Sequence, residues 1–89
     1  MPVVSMFYGL IIRLYFFDTD RHNIPHIHVE YAGAEAIIEI STGSIIEGAL
    51  PSNNMKLLLA WMEIHQEEIM ADWALAAKGE SVFKIEPLR

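Results

Sequence analysis

The sequence predicts an α+β fold: an antiparallel meander of three to four strands over residues 10–48, packed on one long kinked helix or two helices over residues 53–78. Two observations carry this. Up to Gly48 the apolar residues alternate with polar ones, or run in short stretches parted by turn formers. From Leu50 the spacing becomes helical, opening on a proline with several capping side chains and closing on Lys78-Gly79. At 89 residues the chain is read as one domain, residues 1–89, because so short a chain cannot support two separate cores.

The first predicted strand runs from Leu10 to Phe17 and is apolar on both alternating faces, as a centrally placed strand should be. Asp18 to Pro25, "DTDRHNIP", is polar and rich in turn formers, hence a loop. Pro25 pushes Ile24 toward extended backbone and starts the second strand, His26 to Tyr31, which alternates polar and apolar. Ala32-Gly33 supplies a tight turn into a third strand, Ala34 to Ile40. Ser41-Thr42-Gly43 turns into a short fourth, Ser44 to Gly48. Short strands joined by tight turns imply antiparallel pairing.

Pro51, Ser52, Asn53 and Asn54 then signal a helix start. Met55 to Ile64, "MKLLLAWMEI", is apolar on nearly every side, so it is expected to be buried on more than one face. His65 to Glu68, "HQEE", interrupts the apolar stripe. An unbroken helix from Asn53 to Lys78 would be about 40 Å long, more than a domain of this size spans. A break near His65 is therefore expected, with Glu67 and Glu68 at the positive end of a second helix. The segment "VFKIE" before Pro87 reads as a short closing strand.

Composition limits function. Twelve acidic residues face six basic ones, a formal charge of −6, which disfavours binding to nucleic acid. There is no cysteine, so disulfides and thiolate metal sites are excluded. "GLIIRLYFF" is too short to cross a membrane and contains Arg13. No signal peptide is read, and a cytoplasmic protein is expected. The apolar fraction of 53% exceeds what a small domain hides, which points to a homodimer or a small protein partner. Leu58, Trp61, Met62 and Trp73 are the candidate interface anchors, although the two tryptophans serve equally as core residues.

The chemistry concentrates in "PHIHVEY". On a strand, His26, His28 and Glu30 share one face, neighbours about 7 Å apart. Two imidazoles and a carboxylate there could hold Zn²⁺ or Mn²⁺, with His22, Asp18 and Asp20 of the preceding loop closing the coordination. The competing reading is structural: a polar strand face that meets water or pairs across to Glu35 or Glu39. Spacing alone does not decide between them. Arg13, set in an apolar strand, needs a carboxylate, and Glu30 or Glu39 would supply it. His65, Glu68 and Asp72 lie at helical spacing and read as a solvated stripe or a cap at the helix break. No phosphate-binding glycine loop and no serine-nucleophile motif is present.

With its elements in this order, the chain resembles a small, mostly bacterial family catalogued as domain of unknown function 4160. The resemblance rests on "FYGLIIRLYF", "PHIHVEY", "TGSIIEGALP", the tryptophan-bearing "LLLAWMEIHQEEIMADW" and the closing "KIEPL". The loop before the histidines departs from the family's compact "DH-x-PPH-x-H" form, with Ile24 where the first proline stands. The resemblance implies a small α+β protein and no established activity. It also implies a setting beside a second small gene, in toxin–antitoxin-like pairing. Two functions follow: a non-enzymatic, acidic interaction module, or a metal-dependent hydrolase or nuclease acting through His26, His28 and Glu30.

Overall fold

The computed structural model describes residues 3–14 and 24–89. Five strands, β1 (Val3–Phe7), β2 (Leu10–Arg13), β3 (His26–Tyr31), β4 (Ala34–Glu39) and β5 (Ile45–Gly48), form one antiparallel sheet in chain order. Two helices follow, α1 (Ser52–Ile64) and α2 (Gln66–Ala77). The expected α+β meander is present with one strand more than predicted. β1 escapes the alternation test because its register against β2 shifts between Val3 and Ser5, which leaves the adjacent Val4 and Ser5 both buried. The expected strand end at Tyr15 to Phe17 lies outside the described residues.

Two hairpins share one turn chemistry. Tyr8-Gly9 joins β1 to β2 and Ala32-Gly33 joins β3 to β4, each with positive φ at both positions. Such two-residue turns follow the right-handed twist of the strands they join, and the glycine removes half of the steric cost. The pairing Tyr31↔Ala34 through His26↔Glu39 then fixes β3 on β4 over its whole length. Because side chains alternate, this register sends Ile27, Val29, Ala36 and Ile38 to one face and the histidines to the other.

The apolar face receives the helices. Leu58, Trp61 and Met62 of α1 and Ile69 of α2 close over Leu10, Ile12, Val29 and Ile38. Trp61 lies against Phe7, ring centroids 5.3 Å apart. The helical region is two helices, as the polar "HQEE" predicts. His65 sits at the joint with φ −111° and ψ 22°, yet the hydrogen-bond ladder runs on through it: His65 N–H donates to the Trp61 carbonyl, and Ile69 N–H to that of His65. The joint keeps both helices over a molecule 33 Å in its longest dimension. At the other end, α1 starts after Pro51 without a side-chain cap, so the capping run acts only as a helix-start signal. α2 stops as expected. Gly79 takes φ 75° and donates to the Ala76 carbonyl, while Glu80 donates to that of Leu75, the bond pair of a glycine-terminated helix.

The C-terminal segment, residues 81–89, is irregular rather than a strand, yet it is tied down at three points. Phe83 N–H donates to the Asp72 carboxylate (3.0 Å), Trp61 Nε1–H to the Glu86 carbonyl (2.8 Å), and Ile85 N–H to the Val4 carbonyl (2.8 Å). The last contact lays the segment along the outer edge of β1. It stays irregular because its bonds go to a side chain, an indole and only one strand carbonyl.

Gly48 shows how tightly the β4–β5 pair closes. Its φ is +79°, and a Cβ there would lie 2.1 Å from the Glu35 carbonyl oxygen, a backbone atom that cannot move aside. Gly48→Ala should therefore cost more than about 3 kcal/mol, from left-handed strain plus a forced shift of β5. Gly33→Ala, at φ +87° with open space around it, should cost only about 1–2 kcal/mol. Urea unfolding of the two variants measures the difference.

Candidate functional site

β3 positions the histidines from its first residue. Pro25 accepts the Ile40 N–H through its carbonyl (3.0 Å), which pins the start of the strand to the end of β4. His26 Nδ1–H donates to the Ile24 carbonyl at 2.7 Å, fixing the ring's orientation. The imidazoles of His26 and His28 lie on one face, centroids 5.4 Å apart, and His26 also meets the Trp73 ring at 5.0 Å. Trp73 thus joins α2 to this face, half-buried, rather than standing free.

The face is not open to water. His26 is 0% exposed and His28 8%, against the expectation that both point outward. Alternation fixes which side chains share a face, but what covers a face depends on contacts distant in sequence. Glu30, half-exposed, turns to Arg13: its Oε2 accepts from the guanidinium Nε across β2 and β3. Of the two partners foreseen for Arg13, the structure selects Glu30. The choice follows from register. Arg13 stands opposite His28, one diagonal step from Glu30, and Glu30 stands opposite Glu35. Two carboxylates directly opposed repel, and the guanidinium beside them offsets that repulsion.

His26 stands opposite Glu39 in the register, and Glu39 accepts from Ser41 Oγ at 2.9 Å. Among the described residues no group of three His, Asp or Glu side chains converges to hold a metal ion. His22, Asp18 and Asp20, the loop ligands foreseen, lie outside the described residues. What the structure brings together is a line of Trp73, His26 and His28, continued by Arg13 and Glu30.

The proposed interface anchors divide differently. Leu58, Trp61 and Met62 are consumed by the chain's own core, at 0%, 0% and 3% exposure. The helix is apolar nearly all round, but its buried side is filled by the sheet, and the large apolar residues left outside are Leu59 and Ile64. His65 does act at the helix joint: its Nδ1 bonds Glu68 Oε1 at 2.6 Å, and its ring lies 5.7 Å from that of Trp61. Asp72 departs from the expected solvated stripe. It is buried, accepts the Phe83 N–H, and keeps its second carboxylate oxygen without a hydrogen-bond partner. Helical spacing groups Asp72 with His65 and Glu68, and only the distant C-terminal segment buries it.

Sequence reasoning missed two further features. One is Ser5, buried on β1 with an unpartnered hydroxyl. The other is the outer edge of β5, where Ile45 and Glu47 are exposed. The "VVSMFYG" stretch before β2 carried the signal for β1, an apolar run ending in a glycine turn.

The meander, its two C-terminal helices and the "PHIHVEY" strand are those of a small α+β domain. A family model described as "Domain of unknown function (DUF4160)" matches residues 9–74, and the chain belongs to that family. No curated protein matches the chain, and no solved structure does. The matched span takes in β2 to β5, α1 and most of α2. It leaves out β1 and the segment along its edge. No helix among the described residues is long and apolar enough to cross a membrane.

Burial raises the Asp72 pKa above its ordinary 3.8; the Phe83 hydrogen bond works against this and the charge of Glu68 adds to it. A raised native pKa means that ionisation costs more in the folded state. The stability tied to Asp72 is therefore fullest below 3.8 and is lost as pH rises through the raised native value. Urea unfolding from about pH 3.5 to 7 should show wild type losing ground to Asp72→Asn as pH rises, then levelling. A flat difference across that range contradicts the burial argument.

Proposed function

We propose that this protein is a docking module that takes an extended, basic segment of a partner protein as an added strand along β5. One observation carries the reading: the two edges of the sheet are treated differently. The edge of β1 is met by the C-terminal segment, whose Ile85 N–H donates to the Val4 carbonyl, while β5 has a strand neighbour on one side only among the described residues. An edge strand with open backbone groups is a template for another strand.

Charge supports the choice of partner. A shallow hollow of about 270 Å³ over the β4–β5 pair, beside this edge, is lined by Glu35, Ile37, Glu47 and Gly48, two carboxylates beside an isoleucine. The whole chain carries −6. An incoming strand with alternating cationic and apolar side chains fits both features. A second copy fits less well, because pairing two β5 strands brings Glu47 toward its own equivalent. β5 is also only four residues long, and its register on β4 shifts between Ile37 and Ile38; both features blunt self-pairing. An acidic acceptor of this kind suits one half of a toxin–antitoxin-like pair whose basic half acts on nucleic acid. A homodimer through the same edge, the simplest answer to the high apolar content, is the competing occupant.

A peptide alternating valine and lysine serves as probe, with one alternating valine and glutamate as control. The lysine peptide should slow hydrogen exchange at the β5 amides and lose its effect on Glu47→Lys; the glutamate peptide should do nothing. Light scattering should give a monomer. A dimer dissociated by Ile45→Lys would replace the partner strand with a second copy, and equal response to both peptides would end the charge argument.

Metal-dependent hydrolysis is the second reading, favoured by the paired rings at 5.4 Å and the Nδ1 tether of His26 to the Ile24 carbonyl, which is how metal-binding imidazoles are oriented. Protein without a polyhistidine tag, melted with and without Zn²⁺ or Mn²⁺, tests it. A ligand at about a hundred times its Kd stabilises by about 2.7 kcal/mol, a rise of roughly 10–20 °C for a domain of this size. That rise should vanish in His28→Ala. An unchanged melting point, together with a metal-free elemental analysis, removes the metal reading.

A further inference from the structure

We propose that the groove between β1 and the C-terminal segment is a binding site for a small zwitterion with an aliphatic body, of the size and chemistry of leucine. The site stands apart from the β5 edge and does not rest on the partner reading. The groove holds about 400 Å³ and lies between β1, residues 84–87 and the start of α2. That volume is in the range of small-molecule sites.

Ser5 points to an occupant. It is 6% exposed and lines the groove, and its hydroxyl has no hydrogen-bond partner. A buried hydroxyl left unpaired carries its full desolvation cost, which a polar group of a ligand would remove. The register shift of β1 is what turns Ser5 inward beside Val4, so the irregular part of the strand and the orphan hydroxyl coincide.

The charges around the groove select the ligand class. Lys84 stands on one wall and has no ion-pair partner among the described residues. Glu68 and Glu86 stand on the same groove; Glu86 pairs with Arg89 at 2.8 Å, and Glu68 engages His65 through Oε1 alone. A simple anion would meet Lys84 but also two carboxylates. A simple cation would meet the carboxylates but also Lys84. A molecule carrying both charges satisfies both sides, its carboxylate toward Lys84 and its ammonium toward Glu68, with Ser5 on the same groove wall. Met6, Ile85 and Pro87 supply apolar surface for a branched hydrocarbon. Ile85 N–H on the Val4 carbonyl holds the far wall in place. All these residues except Glu68 lie outside the family match at residues 9–74.

The test titrates the full chain with leucine, with 4-methylpentanoate, which lacks the amine, and with 3-methylbutylamine, which lacks the carboxylate, following the amide NMR signals of Ser5, Lys84 and Ile85. Leucine should move these signals at millimolar concentration, and each single-charge analogue should bind at least about tenfold more weakly. Ser5→Ala should keep its melting point or raise it, since it removes an unpaired hydroxyl, yet weaken leucine binding by about tenfold. Lys84→Met should weaken leucine while leaving the amine analogue unchanged. The proposal is overturned if leucine leaves the three signals in place, if either analogue matches it, or if Ser5→Ala binds as wild type does.

Discussion

Trp61 is the residue through which the parts of this fold hold one another. It sits on α1 with no exposed surface, lies against Phe7 of β1, and touches the His65 ring at the helix joint. Its indole N–H, which a buried tryptophan must satisfy, finds the Glu86 carbonyl. One side chain thus couples the first strand, both helices and the C-terminal segment. Burying an aromatic of this size contributes several kcal/mol, of the order of a small domain's whole net stability. The irregular segment needs this anchor, because it has no ladder of its own and relies on three separated hydrogen bonds.

The same arrangement divides the sheet by chemistry. One face is apolar and closed by the helices; the other carries His26, His28, Arg13 and the carboxylates Glu30, Glu35 and Glu39. Burying the imidazoles while leaving Glu30 half-exposed separates groups that a flat reading of "PHIHVEY" would place together. Arg13 is central to the difference, because a guanidinium within reach of Glu30 claims the carboxylate that a metal site would require.

Local signals made much of this legible. Pro25 and the alternation after it set β3, Ala32-Gly33 set its hairpin, Gly79 ended α2, and four polar residues marked the helix joint at His65. Features set by distant contacts were not legible. β1 hid behind a register shift that spoils alternation at Val4 and Ser5. Asp72 looked solvated because the residues at its helical spacing, His65 and Glu68, are polar, and only the C-terminal segment, tied to it through the Phe83 N–H, buries it. Leu58, Trp61 and Met62 were read as partner anchors because nothing in a linear sequence tells a helix whether its apolar side meets its own sheet or another chain. The site was legible in part: the shared face of His26, His28 and Glu30 follows from period two, while the covering of that face does not.

The contact between Val4 and Ile85 joins positions about eighty residues apart, whereas the hairpins and helices close over a few residues each. Local pieces of that kind form quickly and without help from the rest of the chain. During synthesis on the ribosome the meander can therefore assemble while the outer rim of β1 is still bare. Until Ile85 has cleared the exit tunnel, the rim of β1 lacks the backbone bond that Ile85 gives Val4, and chaperone engagement or pairing between neighbouring nascent chains belongs to that interval.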